Sequence, residues 1–99
     1  MKKTADPWDI NLETVLPKIT DKQQECLSFI ASFFRDNQYY PSRREIAAFM
    51  SITPAAANQH IMLLEKKGYL TVETGERRNI RLTASALQRL AIDERRDGQ

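Results

Sequence analysis

Two neighbouring amides, Asn58 and Gln59, and two arginine pairs, Arg43-Arg44 and Arg77-Arg78, are the side chains of this 99-residue sequence that point to chemistry. An amide donates and accepts at once, so it can read an adenine edge through two hydrogen bonds, worth about 1–3 kcal/mol of discrimination. A guanidinium donates only, in a planar fork that suits phosphate. The chemistry implied is recognition, not the making of a covalent bond. Cys26 is the single cysteine and His60 the single histidine, so neither an internal disulfide nor a Cys/His metal cluster can be built. No paired carboxylates and no nucleophile with a base can be assembled, so an enzyme is not expected, and no cofactor or metal is implied.

Length suits one domain, and 41% apolar with 28% charged residues is the balance of a globular one. The net charge of +2 proves no polyanionic partner, but its distribution is uneven. Residues 18–83 hold ten Lys/Arg against seven Asp/Glu, while residues 1–17 carry net −1 and residues 84–99 net zero. The excess sits with the amides and arginines. No run approaches the ~20 apolar residues of a membrane span, and Met1–Trp8 lacks a signal-peptide core. A cytoplasmic protein with no membrane partner is expected.

The elements that must hold these side chains follow from period and caps. Residues 1–18 read as an N-terminal arm with Pro7 and Pro17, one short turn around Ile10–Leu16, and Trp8 as a packing anchor or partner contact. Residues 19–83 form the main domain. Thr20 with Gln23 makes a capping box for a first helix, whose stripe is Leu27, Ile30 and Phe34 beside Cys26 and Phe33. That helix should stop at Asn37-Gln38, ahead of Tyr39-Tyr40-Pro41. Ser42 with Glu45 caps a second, shorter helix, with Ile46, Ala47, Phe49 and Met50 as its core face. Ser51-Ile52 is a tight connection, and Thr53-Pro54 opens a third helix that runs to about Lys67 and stops at Gly68. Leu70/Val72 and Ile80/Leu82 alternate with polar residues about a basic tip, 74–79, which is a β-hairpin. Thr83 caps a last helix through Leu87, Leu90 and Ile92, fraying in 94–99, so residues 84–99 are a C-terminal helix and tail. The fold class is mainly α with a small antiparallel hairpin, a winged helix-turn-helix.

At about 100° per residue, Ala55, Asn58, Gln59 and Met62 share one side of the third helix, while Ala57, His60, Ile61 and Leu64 share the other. The second set docks the helix. The first presents small and amide-bearing residues with no acid until Glu65, as insertion into a major groove demands. Thr53 and the free N–H groups of the first turn can hold a phosphate. Ser42, Arg43 and Arg44 at the start of helix two, and Arg77 and Arg78 on the wing, are expected on the DNA backbone. Bland roles are expected elsewhere: a buried thiol at Cys26, a hydrogen-bonded boundary position at His60, Tyr39-Tyr40 packed beneath the turn between helices, and C-terminal dipole charges at Lys66-Lys67.

The blocks Ile19–Glu25, Tyr40-Pro41-Ser42-Arg43-Arg44-Glu45-Ile46-Ala47, Thr53–Ile61, Leu64–Leu70 and Arg78–Leu82 resemble, in order, the DNA-binding domain of LexA-type repressors. The resemblance implies base-facing positions at Thr53, Ala55, Ala56, Asn58 and Gln59. It also implies an altered operator, because Asn58-Gln59 stand where acidic residues are common in that family. The sequence stops where the family's self-cleaving peptidase half would begin, so autocleavage is not expected. The leading expectation is a sequence-specific regulator of transcription, a small repressor, dimeric on a two-fold site through Leu87, Leu90 and Ile92 unless these pack on their own domain. A winged helix that docks another protein, and a replication or partition initiator, are the alternatives.

Overall fold

A computed structural model describes residues 16–75 and 77–97. Trp8, and the expected turn up to residue 15, lie outside the described residues. The order is α1 (Asp21–Asn37), α2 (Arg43–Met50), α3 (Pro54–Lys66), β1 (Leu70–Val72), β2 (Ile80–Leu82) and α4 (Ala84–Asp97), a winged helix-turn-helix with a closing helix. Each start matches its cap. Thr20 Oγ1 accepts from the Gln23 N–H while Gln23 Oε1 accepts from the Thr20 N–H, at 3.1 and 3.0 Å. Ser42 and Glu45 repeat the arrangement on α2. Thr53 caps α3 through the Ala56 N–H, with Pro54 in the first turn. Thr83 Oγ1 accepts from Ala86 N–H at 3.2 Å and donates to Gly68 C=O at 2.7 Å.

The helix ends obey backbone sterics. Gly68 turns left-handed at φ +89°, and α3 closes with Gly68 N–H on Glu65 C=O and Tyr69 N–H on Leu64 C=O. That pair of bonds is a Schellman motif. Ser51, at φ +58°, closes α2 the same way through Ala48 and Ala47. This tight turn swings α3 across α2. β1 pairs antiparallel with β2, Leu70 opposite Leu82 and Val72 opposite Ile80.

One core joins these elements: Cys26, Leu27 and Ile30 of α1, Ile46, Ala47 and Met50 of α2, Ala57, Ile61 and Leu64 of α3, then Tyr69, Leu70 and Ile80. It extends to Leu16 on one side and to Ala86 and Ile92 on the other. Lys67 Nζ donates to Lys18 C=O (2.7 Å) and Gln23 Oε1 (2.9 Å), and Tyr69 Oη donates to Pro17 C=O, so the chain ahead of α1 is tied to the end of α3. Lys67 is thus a tether instead of a simple dipole charge. Phe49, expected on the core face, is 52% exposed. Ile46, Ala47 and Met50 already fill the arc facing the core, and Phe49 stacks on Phe29 at its edge, ring centroids 4.2 Å apart. Phe34 likewise sits at the margin, stacked on Tyr40 at 4.3 Å. Residues 94–97, expected to fray, belong to α4.

Two substitutions test the backbone account in opposite directions. Nothing lies within 4 Å of where a Gly68 Cβ would sit, so Gly68→Ala should cost only the left-handed penalty, about 1–2 kcal/mol. Ser51→Gly should relieve that penalty and raise stability by up to ~1 kcal/mol. Urea midpoints of the two variants should fall on opposite sides of wild type.

Candidate nucleic-acid interface

The outer face of α3 is built as its spacing requires. Ala57, Ile61 and Leu64 bury one side, with His60 half-buried beside them. His60 Nδ1 is buried and makes no hydrogen bond among the described residues. Ala55, Gln59 and Met62 lie exposed on the other side, Met62 at 57%, and Ala56 and Asn58 are half-buried. Thr53 is exposed at the helix start, its hydroxyl turned to the Ala56 N–H.

The flanking arginines divide into two kinds. Arg44 and Arg77 are exposed, and neither bonds a side chain or backbone group among the described residues. Arg43 and Arg78 are cross-links. Arg43 Nε donates to Asn58 Oδ1 and its Nη1 to Asn79 Oδ1, both at 2.9 Å, so one side chain joins α2, α3 and the wing. Arg78 grips Glu45 with both arms, at 2.7 and 3.2 Å, and donates to Tyr40 C=O at 3.0 Å. Its guanidinium also stands 4.6 Å above the Tyr39 ring. Ser42 Oγ is engaged in its own capping box. Through these contacts the start of α2 and the wing both adjoin the amino-terminal half of α3.

Glu45 is the hub of this arrangement. Oε1 accepts from the Ser42 N–H at 2.8 Å as well as from Arg78. The Arg78 hydrogen bonds, followed by the Ser42 backbone bond, pull its carboxyl down to about 2. An acid that would repel phosphate is thereby neutralised inside the fold. Glu73 is similarly paired with Arg81 at 3.2 Å. Arg78–Glu45, Arg43–Asn79 and Lys67–Gln23 span 33, 36 and 44 residues and were not foreseen from sequence. The Ser42-x-x-Glu45 box did mark Glu45 as a residue held in place.

Of the other expected positions, Leu90 packs against the core and Ile92 is buried in it, leaving Leu87 exposed at 57% beside Phe49 and Phe29. Cys26 is fully buried, and burial first, with Glu25 second, pushes its thiol up to about 11. No His, Cys, Asp or Glu side chains gather as a metal site among the described residues, and no described helix is long and apolar enough to cross a membrane.

Residues 17–79 match the family model of the LexA DNA binding domain. The LexA repressor of Thermosipho melanesiensis is 43% identical over 67 residues, covering 68% of this chain and 34% of that protein. That of Thermotoga neapolitana is 44% identical over 74 residues, covering 75% and 38%. The chain therefore spans little more than a third of the length of these relatives.

The Glu45 clamp should show in acid. Because its folded carboxyl titrates lower than the ordinary value of about 4.3, its contribution is complete above that value and disappears as pH falls towards 2. Glu45→Gln should be less stable than wild type at pH 7, and the two urea midpoints should converge between about pH 4 and pH 2. A gap that stays constant with pH would assign the clamp no role in stability.

Proposed function

This chain belongs to the LexA DNA-binding domain family, and we propose that it is the sequence-reading module of a transcriptional repressor acting on double-stranded DNA. The observation that carries this is the outer face of α3. It starts small and stays uncharged through Met62, meets its first acid at Glu65, and lies between exposed cations at Arg44 and Arg77 that bond no other described residue. A helix entering a major groove needs that combination: close approach, hydrogen-bonding amides, and cations over the phosphates on either side. In this reading α3 enters the groove by its amino-terminal half, with Thr53, Ala55, Ala56, Asn58 and Gln59 over the bases. The wing segment 74–79 rests on the backbone or in the minor groove.

The cross-links refine the division of labour. Gln59, exposed and unengaged among the described residues, is the principal adenine reader. Arg44 and Arg77 take phosphates, together with the Nη2 arm of Arg43, which makes no bond among the described residues. Arg78, its fork committed to Glu45, holds the wing at the angle from which Arg77 can reach. Ser42 supports α2 through its cap. Two copies on a two-fold site would double these contacts, and Leu87 is the exposed member of the set expected at their interface.

If each of two copies sets three arginines on phosphates, log affinity should fall with log salt at a slope of about −5. Gln59→Ala should relax preference at one position per half-site by about 1–3 kcal/mol, whereas Arg77→Ala should weaken every sequence alike and flatten the slope. Selection from random duplex DNA, followed by salt titration of the selected site, measures all three. Retention of no duplex, or a flat salt response, would transfer the α3 face to a protein partner.

A further inference from the structure

The Arg43 cross-link has a polarity, and the polarity bears on which base Asn58 can read. A guanidinium only donates, so the Asn58 atom 2.9 Å from Arg43 Nε is the amide oxygen. The same logic places Asn79 Oδ1 against Arg43 Nη1, while Asn79 Nδ2 donates to Glu73 C=O. Arg43 thus donates both ways, to Asn58 on α3 and to Asn79, which donates in turn to the wing backbone. Asn58 Nδ2 lies 3.5 Å from the sulfur of exposed Met62, on the outer side of α3. Asn58 is pinned with its acceptor turned inward, under a cation, and its donor turned outward.

Adenine in the major groove offers an acceptor, N7, next to a donor, the N6 amino group, and needs both amide atoms to be read. Asn58 Oδ1 is turned towards the Arg43 guanidinium and Nδ2 towards Met62, so an N6 amino group approaching the oxygen's second lone pair would face guanidinium N–H groups, donor against donor. Guanine offers two acceptors, N7 and O6, either of which can take a bond from Asn58 Nδ2 with no call on the amide oxygen. We propose that Arg43 is a positioning residue that makes Asn58 a donor-only reader, so that the base beneath Asn58 is guanine and not adenine. This rests on the DNA-binding reading above. It assigns the wing residue Asn79 an indirect part in base choice.

The test is selection from random duplex DNA with the full chain, comparing wild type with Asn58→Ala, Arg43→Met, Asn79→Ala and Asn79→Asp. Asn58→Ala identifies the operator position that depends on Asn58, and wild type should show guanine there. Arg43→Met should shift the adenine-to-guanine ratio at that position roughly tenfold towards adenine, leaving the position lost in Gln59→Ala untouched. Asn79→Ala should move it the same way by less, and Asn79→Asp, which keeps an acceptor for Arg43, should retain guanine. Thermal melts establish which variants fold. If Arg43→Met does not, Asn79→Ala decides. Adenine at the Asn58-dependent position in wild type overturns the proposal. So does guanine unchanged in the deciding variant, or no position altered by Asn58→Ala. Failure of wild type to retain any duplex overturns the DNA-binding reading with it, which separates the two failures.

Discussion

The capping boxes of α1 and α2 both hand their third helical side chain to a cation from far along the chain, and the arrangement of the other elements depends on that sharing. A helix start leaves backbone N–H groups without partners, and a Gln or Glu three residues on returns to satisfy one of them. Here the same oxygen keeps a lone pair free. Gln23 Oε1 takes the Thr20 N–H and then Lys67 Nζ, so the start of α1 fixes the end of α3. Glu45 Oε1 takes the Ser42 N–H and then Arg78, so the start of α2 fixes the wing. Local satisfaction and long-range assembly are carried by one atom in each case.

This pattern explains how a domain with two three-residue strands holds its wing at a defined place beside α3. Such a ribbon has little pairing of its own to resist splaying. Its position is set by Arg78 reaching back to α2 and by Arg43 reaching forward to Asn79, two cross-links of opposite direction. A reading surface held rigid before its ligand arrives loses less conformational freedom on binding. The arginines nearest the proposed groove therefore serve two ends: Arg43 and Arg78 chiefly shape the surface, while Arg44 and Arg77 remain available to meet charge.

What could be read from sequence was what depends on neighbours within a turn or two. The boxes Thr20–Gln23 and Ser42–Glu45, the Pro54 start, the Gly68 stop and the buried face Ala57–Ile61–Leu64 are all local rules of cap and period, and each is present. Phe49 shows where period fails. On an eight-residue helix an apolar position beside the core arc is indistinguishable from one within it, and packing against Phe29 is a tertiary fact. The site was legible as a list of residue types but not as a network. Nothing in the spacing of Arg43, Asn58 and Asn79 announces that they meet, since each also makes sense as an independent surface group. The tether of Lys67 to Lys18 and Gln23 was hidden for the same reason, its role as a helix-end charge being sufficient by itself.

Thr83 makes an insertion in the hairpin mean different things at different places. Its hydroxyl donates to Gly68 C=O at the exit of α3 and accepts from Ala86 N–H at the entry of α4, and its N–H bonds Tyr69 C=O. The open end of the hairpin is therefore latched to both flanking helices, and a one-residue slip there would turn Leu70 and Ile80 out of the core while releasing both helix ends. At the other end, Asn79 and Arg78 are anchored, whereas among the described residues of the turn ahead of them Thr74, Gly75 and Arg77 make no bond to another element. A residue added in that short turn would break none of these anchoring bonds, so the turn, the part of the wing proposed to lie over the nucleic acid, is where an insertion should cost the hairpin least.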